Sequence, residues 1–454
     1  MTVADLSELT GTLTSWSDSP ADLGSARADR SGWSADGTPA LIVRAASVAE
    51  VQSTVAFAAR HGIPVVTRGG ATALTGAASA GAGAIVLDVS GLDRILEIRA
   101  DDQLAIVEPG VVTADLDAAA REHGLFFAPD PGSVGISTIG GNIGTNAGGL
   151  RGAKYGVTRE AVLALDVVLA DGSLVTVGHS TAKGVSGYDL PALFVGSEGT
   201  LGIVVRAVVR LLPVPVGLAT VSASLTSIEA AAEAATAIGR AGLRPAMLEI
   251  IDGPTLGAID SAFGSALRER GEALLIAQTD GLGAVLEAER VAETVALYAA
   301  SVEIATDPAA GDELVEARRR ALPAIERLGR VLIEDIAVPR SRMAEVIRTV
   351  QRIGEESGTM IFVFAHAGDG NVHPIILLEG VEEGEPIPQN ALDAADAIFA
   401  AALEAGGTLT GEHGIGVLKR QWIGRELGER VHALQGEIKR LLDPQGILNP
   451  GKAL

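Results

Sequence analysis

The sequence predicts an α+β protein made of two unlike domains, and three observations support this prediction. The chain has 454 residues, which at ~100–200 residues per domain is enough for two or three domains with full cores. Apolar residues make up 47% of the chain but aromatic residues only 3%, a mixture that suits Ala-, Val-, Ile- and Leu-rich helices packed on sheets. The pattern of elements changes after the sequence LLPVPV, and we therefore place the domain boundary at residue 215.

Short strands and amphipathic helices alternate in the first domain, which we predict over residues 33–215 after a polar, helical lead-in over residues 1–32. Ser47 can cap a helix that Gly62 ends, because apolar residues recur at helical spacing between them. Another helix is predicted over Thr113–Glu122. Strands are predicted at IPVV, GAIVLDVS, RILEIR and LAIVEPGVV, and the sequence VLALDVVLADGSLVTVG predicts a hairpin.

Two β-α-β units open the second domain, which we predict over residues 216–454. The first is the strand TVSASL, a helix over Ser227–Ala241 and the strand MLEII; the second is ALLIAQT, a helix over 284–300 and VEIAT. Two such units in succession predict a ferredoxin-like α+β domain. Further along, helices alternate with the strands RVLIEDIAV and GTMIFVFAH, and this helical C-terminal part is either separate or completes the second domain.

Charge and composition exclude several classes of function. The chain carries 35 Lys and Arg against 57 Asp and Glu, a net charge of −22, which repels nucleic acid and anionic membrane surfaces. It has no cysteine, so disulfides, thiolate metal ligands and iron–sulfur clusters are excluded. The acidic N-terminus has no signal-peptide pattern, and no stretch of ~18 apolar residues occurs. We therefore expect a cytoplasmic protein without a membrane span.

Two glycine-rich segments, residues 64–76 and 129–149, are the candidate nucleotide site. Their glycines alternate with Ser, Thr and Asn, so that backbone N–H groups can surround an anion such as a pyrophosphate. The alternative is that both segments are ordinary turns of a glycine-rich protein. Neither the P-loop sequence nor the G-x-G-x-x-G fingerprint is present. A nucleotide bound here would therefore be held in another way.

Four motifs carry a resemblance to a known family. The sequences PVVTRGGATALTG (64–76), DPGSVGISTIGGNIGTNAGG (130–149), KGVSGYDL (183–190) and GSEGTLGIV (196–204) resemble the FAD-binding half of vanillyl-alcohol-oxidase-type flavoproteins. Within that group the chain is similar to glycolate oxidase D-subunits and to D-lactate and D-2-hydroxyglutarate dehydrogenases. The resemblance implies a PCMH-type FAD-binding domain of two α/β subdomains, followed by a substrate domain.

The resemblance also implies which residues contact the cofactor. Some relatives tether the flavin through a histidine of the first loop, and this chain has Ala71 there, so its FAD should be non-covalent. The two glycine-rich loops would surround the pyrophosphate and adenosine, with the GSEG sequence and a C-terminal asparagine nearby. The residues to which the resemblance assigns these contacts are Arg68, Gly69, Gly70, Ala71, Thr72, Leu74, Asp130, Pro131, Gly132, Ser137, Thr138, Gly140, Gly141, Asn142, Thr145, Asn146, Gly148, Glu198, Gly199, Ile203 and Asn449.

Histidines of the second domain predict a metal site. His366 and His373 occur in HAGDGNVH, where Asp369-Gly370 is a strong signal for a two-residue hairpin turn. Such a turn would place the two histidines directly opposite each other, with Cβ atoms ~4.5–5.5 Å apart on one face. With Glu412 they would form a set with open positions, as catalytic metal sites do. The alternative is a stacked structural pair, whereas the resemblance implies a divalent metal, zinc or manganese.

This set of residues predicts a reaction. A 2-hydroxy acid can bind an open metal through its hydroxyl and carboxylate, and the metal lowers the pKa of the hydroxyl. A base would then remove the hydroxyl proton while a hydride leaves Cα for flavin N5. His413, which follows Glu412, is the candidate base, as the resemblance also implies. A fourth metal ligand is the alternative role for His413.

A substrate carboxylate needs a cation in so acidic a protein. The run Arg318-Arg319-Arg320 offers one, although a charged run on a helix is usually a solvated face. By resemblance to the family pattern R-[KR]-x-[AS]-x-P, Arg318 is the arginine that binds the substrate carboxylate, since a guanidinium can hold it bidentately. Arg319 is the alternative.

The predicted function is FAD-dependent, metal-assisted oxidation of a D-2-hydroxy acid. The residues after His373 are PIIL, and the strand VLIEDIAV lacks the lysine found in relatives that take a dicarboxylate. These features favour D-lactate, with glycolate or D-2-hydroxyglutarate as the alternatives within the family. A flavoprotein transferase of the alkyl-dihydroxyacetone-phosphate synthase type is disfavoured, because its multi-histidine run is absent. A non-catalytic metal-binding or complex-forming subunit would have lost the flavin loops or His413, and both are intact.

Electrons must leave the protein, since the sequence has no Rossmann fingerprint and no iron–sulfur or haem ligands for internal transfer. The expected acceptors are dioxygen, a quinone, a cytochrome, another flavoprotein or a dye. The expected partners are thus a small 2-hydroxy acid and an external acceptor, and not nucleic acid. The sequence leaves the oligomeric state open, with a homodimer among the alternatives.

Overall fold

The computed structural model describes residues 6–382 and 385–454, in which strands and helices alternate. The strands are β1 Trp16–Ser17, β2 Leu41–Arg44, β3 Val65–Arg68, β4 Ile85–Asp88, β5 Ile95–Arg99, β6 Leu104–Val107, β7 Leu125–Phe126, β8 Val162–Val168, β9 Leu174–Gly178, β10 Ile203–Arg210, β11 Leu212–Pro213, β12 Leu218–Leu225, β13 Met247–Asp252, β14 Ala273–Asp280, β15 Ala299–Ala305, β16 Arg330–Ile333, β17 Ile336–Ala337, β18 Ile361–His366 and β19 Asn371–Leu378. The α-helices are α1 Ser7–Thr10, α2 Pro20–Ser25, α3 Val48–His61, α4 Thr113–Arg121, α5 Ile139–Thr145, α6 Gly152–Tyr155, α7 Thr158–Ala161, α8 Leu190–Phe194, α9 Ile228–Arg240, α10 Gly253–Phe263, α11 Leu267–Arg270, α12 Ala284–Val295, α13 Pro308–Glu326, α14 Met343–Ser357, α15 Gln389–Glu404 and α16 Ile423–Leu442. Within these described ranges, none of the helices combines the length and the apolar character that a bilayer crossing needs.

The chain divides into two compact units, each made of stretches that are not contiguous in sequence. Unit 1 comprises the chain up to Gly148, Gly156–Val214 and Glu412–Leu454. Unit 2 comprises Gly149–Tyr155 and Pro215–Gly411. The polypeptide therefore passes between the units after residues 148, 155, 214 and 411.

Unit 1 contains two main sheets, which correspond to the two α/β subdomains of the predicted fold. The first has the strand order β1-β2-β4-β3, with β2 and β3 parallel to β4. The second is antiparallel and has the order β5-β6-β10-β8-β9. Helix α3 covers the first sheet; the Ser47 side chain accepts a hydrogen bond from the Glu50 N–H, and Gly62 ends the helix with a φ of 63°.

The C-terminal segment of unit 1 lies along β3. Val65 donates its N–H to the Ile447 carbonyl at 2.7 Å, and Asn449 donates its N–H to the Val65 carbonyl at 2.8 Å. Asp443 fixes this segment from the other side, because its carboxylate accepts the N–H groups of Ile447 and Leu448. Since β3 leads directly into the first glycine-rich loop, the end of the chain is held beside that loop.

Unit 2 contains one eight-stranded antiparallel sheet. Its first four strands have the order β15-β12-β14-β13, with α9 and α12 as the connecting helices. This is the ferredoxin-like order, as predicted from the two β-α-β units. Strands β18, β19, β16 and β17 extend the same sheet. The C-terminal strands therefore complete the second unit instead of forming a separate domain.

Two groups of helices pack in unit 2. Helix α9 contacts both α12 and α14, and α10 contacts α13. Leu256 and Ile259 of α10 pack with Ala321 and Ile325 of α13, in one buried cluster with Ile251 of β13. Helix α13, which carries the arginine run, is therefore held against the central strands of the sheet.

Local contacts explain where two predicted elements differ from the structure. The lead-in is only partly helical, because α1 and α2 flank β1, which pairs with β2; its first five residues lie outside the described ranges. The helix predicted over 284–300 ends at Val295, because Ala299 pairs with Leu225 and begins the edge strand β15. The Ala-rich sequence is compatible with a helix or a strand, and pairing with β12 makes this segment a strand.

The domain boundary lies after Val214, next to the predicted position 215. Two segments differ from the predicted domains 33–215 and 216–454, since Gly149–Tyr155 belongs to unit 2 and Glu412–Leu454 to unit 1. Helix α6 of the first segment contacts β13, and the second segment pairs with β3. Such tertiary contacts leave no periodic pattern in the local sequence.

Candidate active site

The two glycine-rich segments of unit 1 lie against each other. A Cβ atom added to Gly70 would come within 3.0 Å of the Ile136 carbonyl oxygen, and one added to Gly69 would come as close to the Thr138 hydroxyl. Only glycine permits this approach. The two predicted FAD loops thus lie too close to accept a side chain at Gly69 or Gly70, and exposed backbone N–H groups of such loops can surround an anionic cofactor.

Strained backbone conformations occur at several of the predicted cofactor residues. Of the six non-glycine residues with positive φ in the described chain, four are predicted cofactor residues: Ala71, Asn146, Glu198 and Asn449. Their φ values are 53°, 54°, 51° and 43°. Left-handed conformations cost free energy for residues with a Cβ, and they cluster at ligand sites.

Two buried polar atoms in this part of unit 1 have no hydrogen-bond partner in the described chain, namely Thr67 Oγ1 and Asn449 Oδ1. A buried acceptor without a donor costs ~1–3 kcal/mol. A ligand rich in hydroxyl and N–H groups would satisfy both atoms. The glycine contacts, the strained residues and these two atoms together fit FAD.

Several predicted cofactor residues use their side chains to shape the loops. Asn142 Nδ2 donates to Thr113 Oγ1 at 2.8 Å, and Ser137 Oγ lies 3.0 Å from the same hydroxyl. Thr138 caps α5 by accepting the Gly141 N–H at 3.3 Å, so the second segment is more regular than its sequence predicts. The other predicted cofactor residues also belong to unit 1; they are Arg68, Thr72, Leu74, Asp130, Pro131, Gly132, Gly140, Thr145, Gly148, Gly199 and Ile203.

The loop that carries Glu412 and His413 belongs to unit 1 and is held by Glu198. This carboxylate is buried and accepts the N–H of Ile415 at 2.7 Å and the N–H of Gly416 at 2.8 Å. Burial raises the pKa of Glu198 to about 6, although the two backbone N–H groups oppose the shift.

The first glycine-rich loop holds the other side of the same loop. The Thr75 carbonyl accepts the N–H of Val417 at 2.8 Å. A Cβ atom added to Gly148 would come within 3.0 Å of Glu412 Oε2. The predicted base and the predicted third metal ligand therefore lie beside the predicted FAD loops within unit 1.

The C-terminal motif joins this buried polar group. Asn449 Nδ2 donates to the carbonyl oxygens of Glu198 at 2.7 Å and Ala77 at 3.0 Å. Lys452 donates to the carbonyls of Ala77 and Ser79, and burial lowers the pKa of its ammonium to about 8. The motif near the chain end thus fixes both the GSEG segment and the first loop.

The second candidate site lies in unit 2, on one face of the β18–β19 hairpin. The ring centroids of His366 and His373 are 5.0 Å apart in an edge-to-face arrangement. One ring nitrogen of each lies within 4.8 Å of the other, so side-chain rotation can bring both nitrogens to one cation. Both residues are buried.

The predicted register of this hairpin is wrong. His366 pairs with Asn371, and His373 pairs with Phe364, so that residues 367–370 form a four-residue loop. The two histidines are therefore diagonal neighbours and not directly opposed. They remain on one face, because the pairing has shifted by two residues and side chains alternate with a period of two.

The turn chemistry explains the difference. A two-residue type I′ turn needs positive φ at both Asp369 and Gly370, and only Gly370 has it, with φ 94°. The Asp369 side chain instead accepts the Asn371 N–H at 3.1 Å, and the His366 carbonyl accepts the Gly370 N–H at 3.1 Å. These bonds close the longer loop.

A buried carboxylate lies beside the Nδ1 atom of each histidine. The two oxygens of Glu249 are 2.8 Å and 2.9 Å from His366 Nδ1, and Asp335 Oδ1 is 3.8 Å from His373 Nδ1. Because a carboxylate can only accept, His366 Nδ1 carries the hydrogen and Nε2 keeps its lone pair for a metal. A hydrogen-bonded carboxylate–histidine pair such as Glu249–His366 is typical of a metal ligand, and the residues fit a divalent cation.

Asp335 also fixes the chain just before Glu412. Its carboxylate accepts hydrogen bonds from Asn371 Nδ2 at 2.5 Å, Thr410 Oγ1 at 2.6 Å and the Gly411 N–H at 2.9 Å. One buried carboxylate thus connects the histidine hairpin with the last residues of unit 2.

Arg318 is the arginine of the run that lies at the histidines. Its Nε donates to Glu249 Oε2 at 2.7 Å, and its guanidinium carbon lies 4.3 Å from the centroid of the Phe364 ring. Arg319, the alternative, is half exposed and forms an ion pair with Asp312 at 3.3 Å. Arg318 therefore lies beside His366, whereas the ion pairs of Arg319 are formed within its own helix.

The sequence analysis missed Glu249 and Asp335. Each is a carboxylate in a mostly apolar strand sequence, MLEIID and VLIEDIAV, which also contain the acidic residues Asp252 and Glu334. Charged residues are almost never fully buried unless they are paired. Carboxylates in the apolar strands of the domain that carries the predicted metal site are the signal that could have identified them.

Comparison with known proteins now places the chain in a class. The family described as "FAD linked oxidases, C-terminal domain" matches residues 215–453, and the family described as "FAD binding domain" matches residues 39–178. The chain belongs to the FAD-linked oxidase family and is an FAD-dependent oxidoreductase, which confirms the predicted family and enzyme class.

Two relatives illustrate the similarity. The chain is 40% identical over 420 residues to glycolate oxidase subunit GlcD of Bacillus subtilis, a match that covers 91% of this chain and 88% of the relative. It is 36% identical over 419 residues to the D-lactate dehydrogenase of Archaeoglobus fulgidus, covering 91% of each.

Solved structures confirm the predicted PCMH-type fold. Substrate-bound p-cresol methylhydroxylase superposes with a TM-score of 0.80 at 16% identity, over 99% of this chain and 96% of that one. The 4-ethylphenol oxidase from Gulosibacter chungangensis gives a TM-score of 0.78 at 19% identity over the same shares.

Proposed function

We propose that the enzyme oxidises a D-2-hydroxy acid of the D-lactate type to the 2-oxo acid, with non-covalent FAD and a divalent cation, zinc or manganese. The observation that carries the proposal is the buried pair His366 and His373, each with a carboxylate beside its Nδ1 atom. Two such imidazoles on one face of a hairpin are a donor set for a cation.

Glu412 is the third protein ligand in this proposal. It directly follows Gly411, whose N–H is held by Asp335, and three protein ligands leave positions open for substrate. When bound, the cation would polarise the substrate hydroxyl, and FAD would accept the hydride from Cα. Ala71 in the first loop supports a non-covalent flavin.

The protein residues have separate tasks. Arg318 binds the substrate carboxylate through the terminal nitrogens of its guanidinium, because its Nε is committed to Glu249. His413 takes the hydroxyl proton. The alcohol thereby loses one proton to the protein and one hydride, and the product is a 2-oxo acid.

The chain after His373 supports a substrate without a second carboxylate. Pro374, Ile375, Ile376 and Leu377 follow it, and β16 and β17 contain no lysine. Glycolate is a second candidate, because one relative named a glycolate oxidase subunit is 40% identical. The electron acceptor in the proposal is external: dioxygen, a quinone, a cytochrome, another flavoprotein or a dye.

Steady-state assays with a redox dye test the proposal. D-lactate, L-lactate, glycolate and D-2-hydroxyglutarate are compared, before and after chelation and after zinc or manganese is added back. We expect D-lactate to have the highest kcat/KM, and chelation to abolish turnover reversibly. Full activity in protein that elemental analysis shows to be metal-free would contradict the metal-assisted reaction.

His413→Gln separates the two roles of this residue. If His413 is the base, the variant keeps the metal and flavin content of the wild type while kcat falls by about 10²–10⁴-fold. Loss of bound metal together with activity would assign His413 as a ligand instead. Metal analysis and flavin absorbance on the same preparation give the answer.

A further inference from the structure

We propose that Glu249 is a positioning residue whose single carboxylate fixes both His366 and Arg318, and so links the affinity for the cation to the placement of the substrate arginine. The inference rests on the function proposed above. Glu249 itself would contact neither the cation nor the substrate.

Glu249 occupies a rigid position in the sheet. It lies in β13, where it pairs with Ile276 of β14 on one side and with His366 of β18 on the other. Its side chain is fully buried. A strand flanked on both sides cannot shift, so the carboxylate provides a fixed reference point for its partners.

The carboxylate is shared between two donors. Both oxygens lie within 2.9 Å of His366 Nδ1, and Oε2 also accepts Arg318 Nε at 2.7 Å. A buried carboxylate needs a paired cation and further hydrogen bonds, and these two side chains supply them. The hydrogen bond to Nδ1 leaves His366 Nε2 as the metal-binding atom.

Phe364 packs against both Arg318 and His373. Its ring lies under the Arg318 guanidinium at 4.3 Å, and its centroid is 5.3 Å from that of His373, its cross-strand partner. Both histidines and the arginine are therefore packed into one group around Glu249 and Phe364. Loosening Glu249 is expected to release a metal ligand and the arginine together.

Glu249→Gln tests this directly, with Asp252→Asn as the matched control. A glutamine keeps the size but loses the negative charge, and its NH2 group replaces one of the two oxygens beside His366 Nδ1, so it holds the two donors more weakly. Asp252 is a buried carboxylate on the same strand that accepts the N–H of Thr255 and of Val363, and it lies in neither proposed site. Full-length protein with bound FAD is titrated with zinc or manganese in competition with a chromogenic chelator.

We expect Glu249→Gln to bind the cation about 10–100-fold more weakly than the wild type, with unchanged flavin content. Asp252→Asn should bind it as the wild type does. Excess cation should restore kcat in Glu249→Gln, while KM for the hydroxy acid stays raised because Arg318 has lost its partner. A merely structural role would instead lower thermal stability and flavin content without rescue by the cation.

Glu249→Asp is the second variant, for the case in which the glutamine variant does not fold. It keeps the charge beside Arg318 but is one methylene shorter, and it should also bind the cation more weakly. Wild-type affinity in a folded Glu249 variant, or an equal loss in Asp252→Asn, would overturn the inference. Failure of the wild type to bind any cation would instead overturn the proposed function, so the two failures are distinguishable.

Discussion

The two units prepare their sites by different means. In unit 1 the predicted FAD loops are in close contact at Gly69 and Gly70, which face the Thr138 hydroxyl and the Ile136 carbonyl, and Ala71 beside them has a strained backbone. In unit 2 the site consists of side chains from separate elements, with Glu249 and the histidines on the sheet and Arg318 on helix α13. The first site depends on residue type, because only glycine permits so close an approach, whereas the second depends on side chains that pairing between distant strands brings together.

The largest expected effect comes from removing the two histidines of the proposed metal site in unit 2. Replacement of both His366 and His373 by alanine should lower kcat/KM by about 10³-fold or more, because the loss of metal assistance costs several kcal/mol. FAD should stay bound, since the loops of unit 1 are untouched. Turnover, metal content and flavin absorbance are measured together.

His179→Ala is the control for the histidine pair, because His179 is exposed and lies in unit 1. It should keep full activity. If the double variant lost FAD as completely as metal, the proposed independence of the two sites would be wrong.

The reverse experiment affects unit 1 alone. In Gly70→Ala the new Cβ would collide with the Ile136 carbonyl, and relief of such overpacking costs ~1–3 kcal/mol, which corresponds to about 5–150-fold weaker FAD binding. Gly135→Ala in the partner segment adds a Cβ with no atom within 4 Å and should bind FAD normally. Flavin release on dilution measures the difference, and cation binding should not change. Equal FAD affinity in both variants would argue against the close backbone approach.

The smallest expected effect concerns the buried Glu198. Its pKa of about 6 lies above the ordinary value of 4.5, so the folded state binds the proton more tightly than the unfolded state. The free energy of unfolding of unit 1 should therefore fall by about 2 kcal/mol in total as the pH rises from well below 4.5 to well above 6. Glu198→Gln should lack this decrease. Tryptophan fluorescence reports on unit 1, because all three tryptophans, Trp16, Trp33 and Trp422, belong to it.

Glu108 gives a control of opposite sign in the same unit. Burial raises its pKa, but hydrogen bonds from Arg94 outweigh burial and leave the pKa below its ordinary value. Its contribution to stability is present above pH 4.5 and is lost as the pH falls. Glu108→Gln should therefore remove a rise in stability with pH, and parallel curves for the two variants would contradict both assignments.

The sequence predicts those parts of the fold and of the site that depend on local patterns or on residue type. The ferredoxin-like order of β15, β12, β14 and β13 follows from two β-α-β patterns, because each unit is local in sequence. The glycine-rich loops are recognisable because backbone approach restricts the residue type. The resemblance carried by the four sequence motifs identified the family, and the comparisons confirm it.

What the sequence does not predict depends on contacts over long distances. The register of the His366 hairpin was wrong, because Asp369 forms a side-chain bond to the backbone instead of taking a positive φ. Glu249 lies 117 positions from His366, and no local pattern connects them. Glu412 belongs to unit 1 because Glu198 and Thr75 form hydrogen bonds to the residues after it. No periodic pattern in the sequence indicates these bonds.

The non-contiguous stretches of the two units have a practical consequence for dissecting the enzyme. A fragment that stops at Val214 lacks the closing stretch that pairs with β3 and buries Glu198, although every glycine motif is present. A fragment that starts at Pro215 lacks helix α6, which contacts β13. Its last residues, Glu412–Leu454, belong to unit 1. No single cut of the gene therefore yields two intact halves, and a fragment meant to bind flavin should carry Glu412–Leu454 fused back onto the N-terminal part.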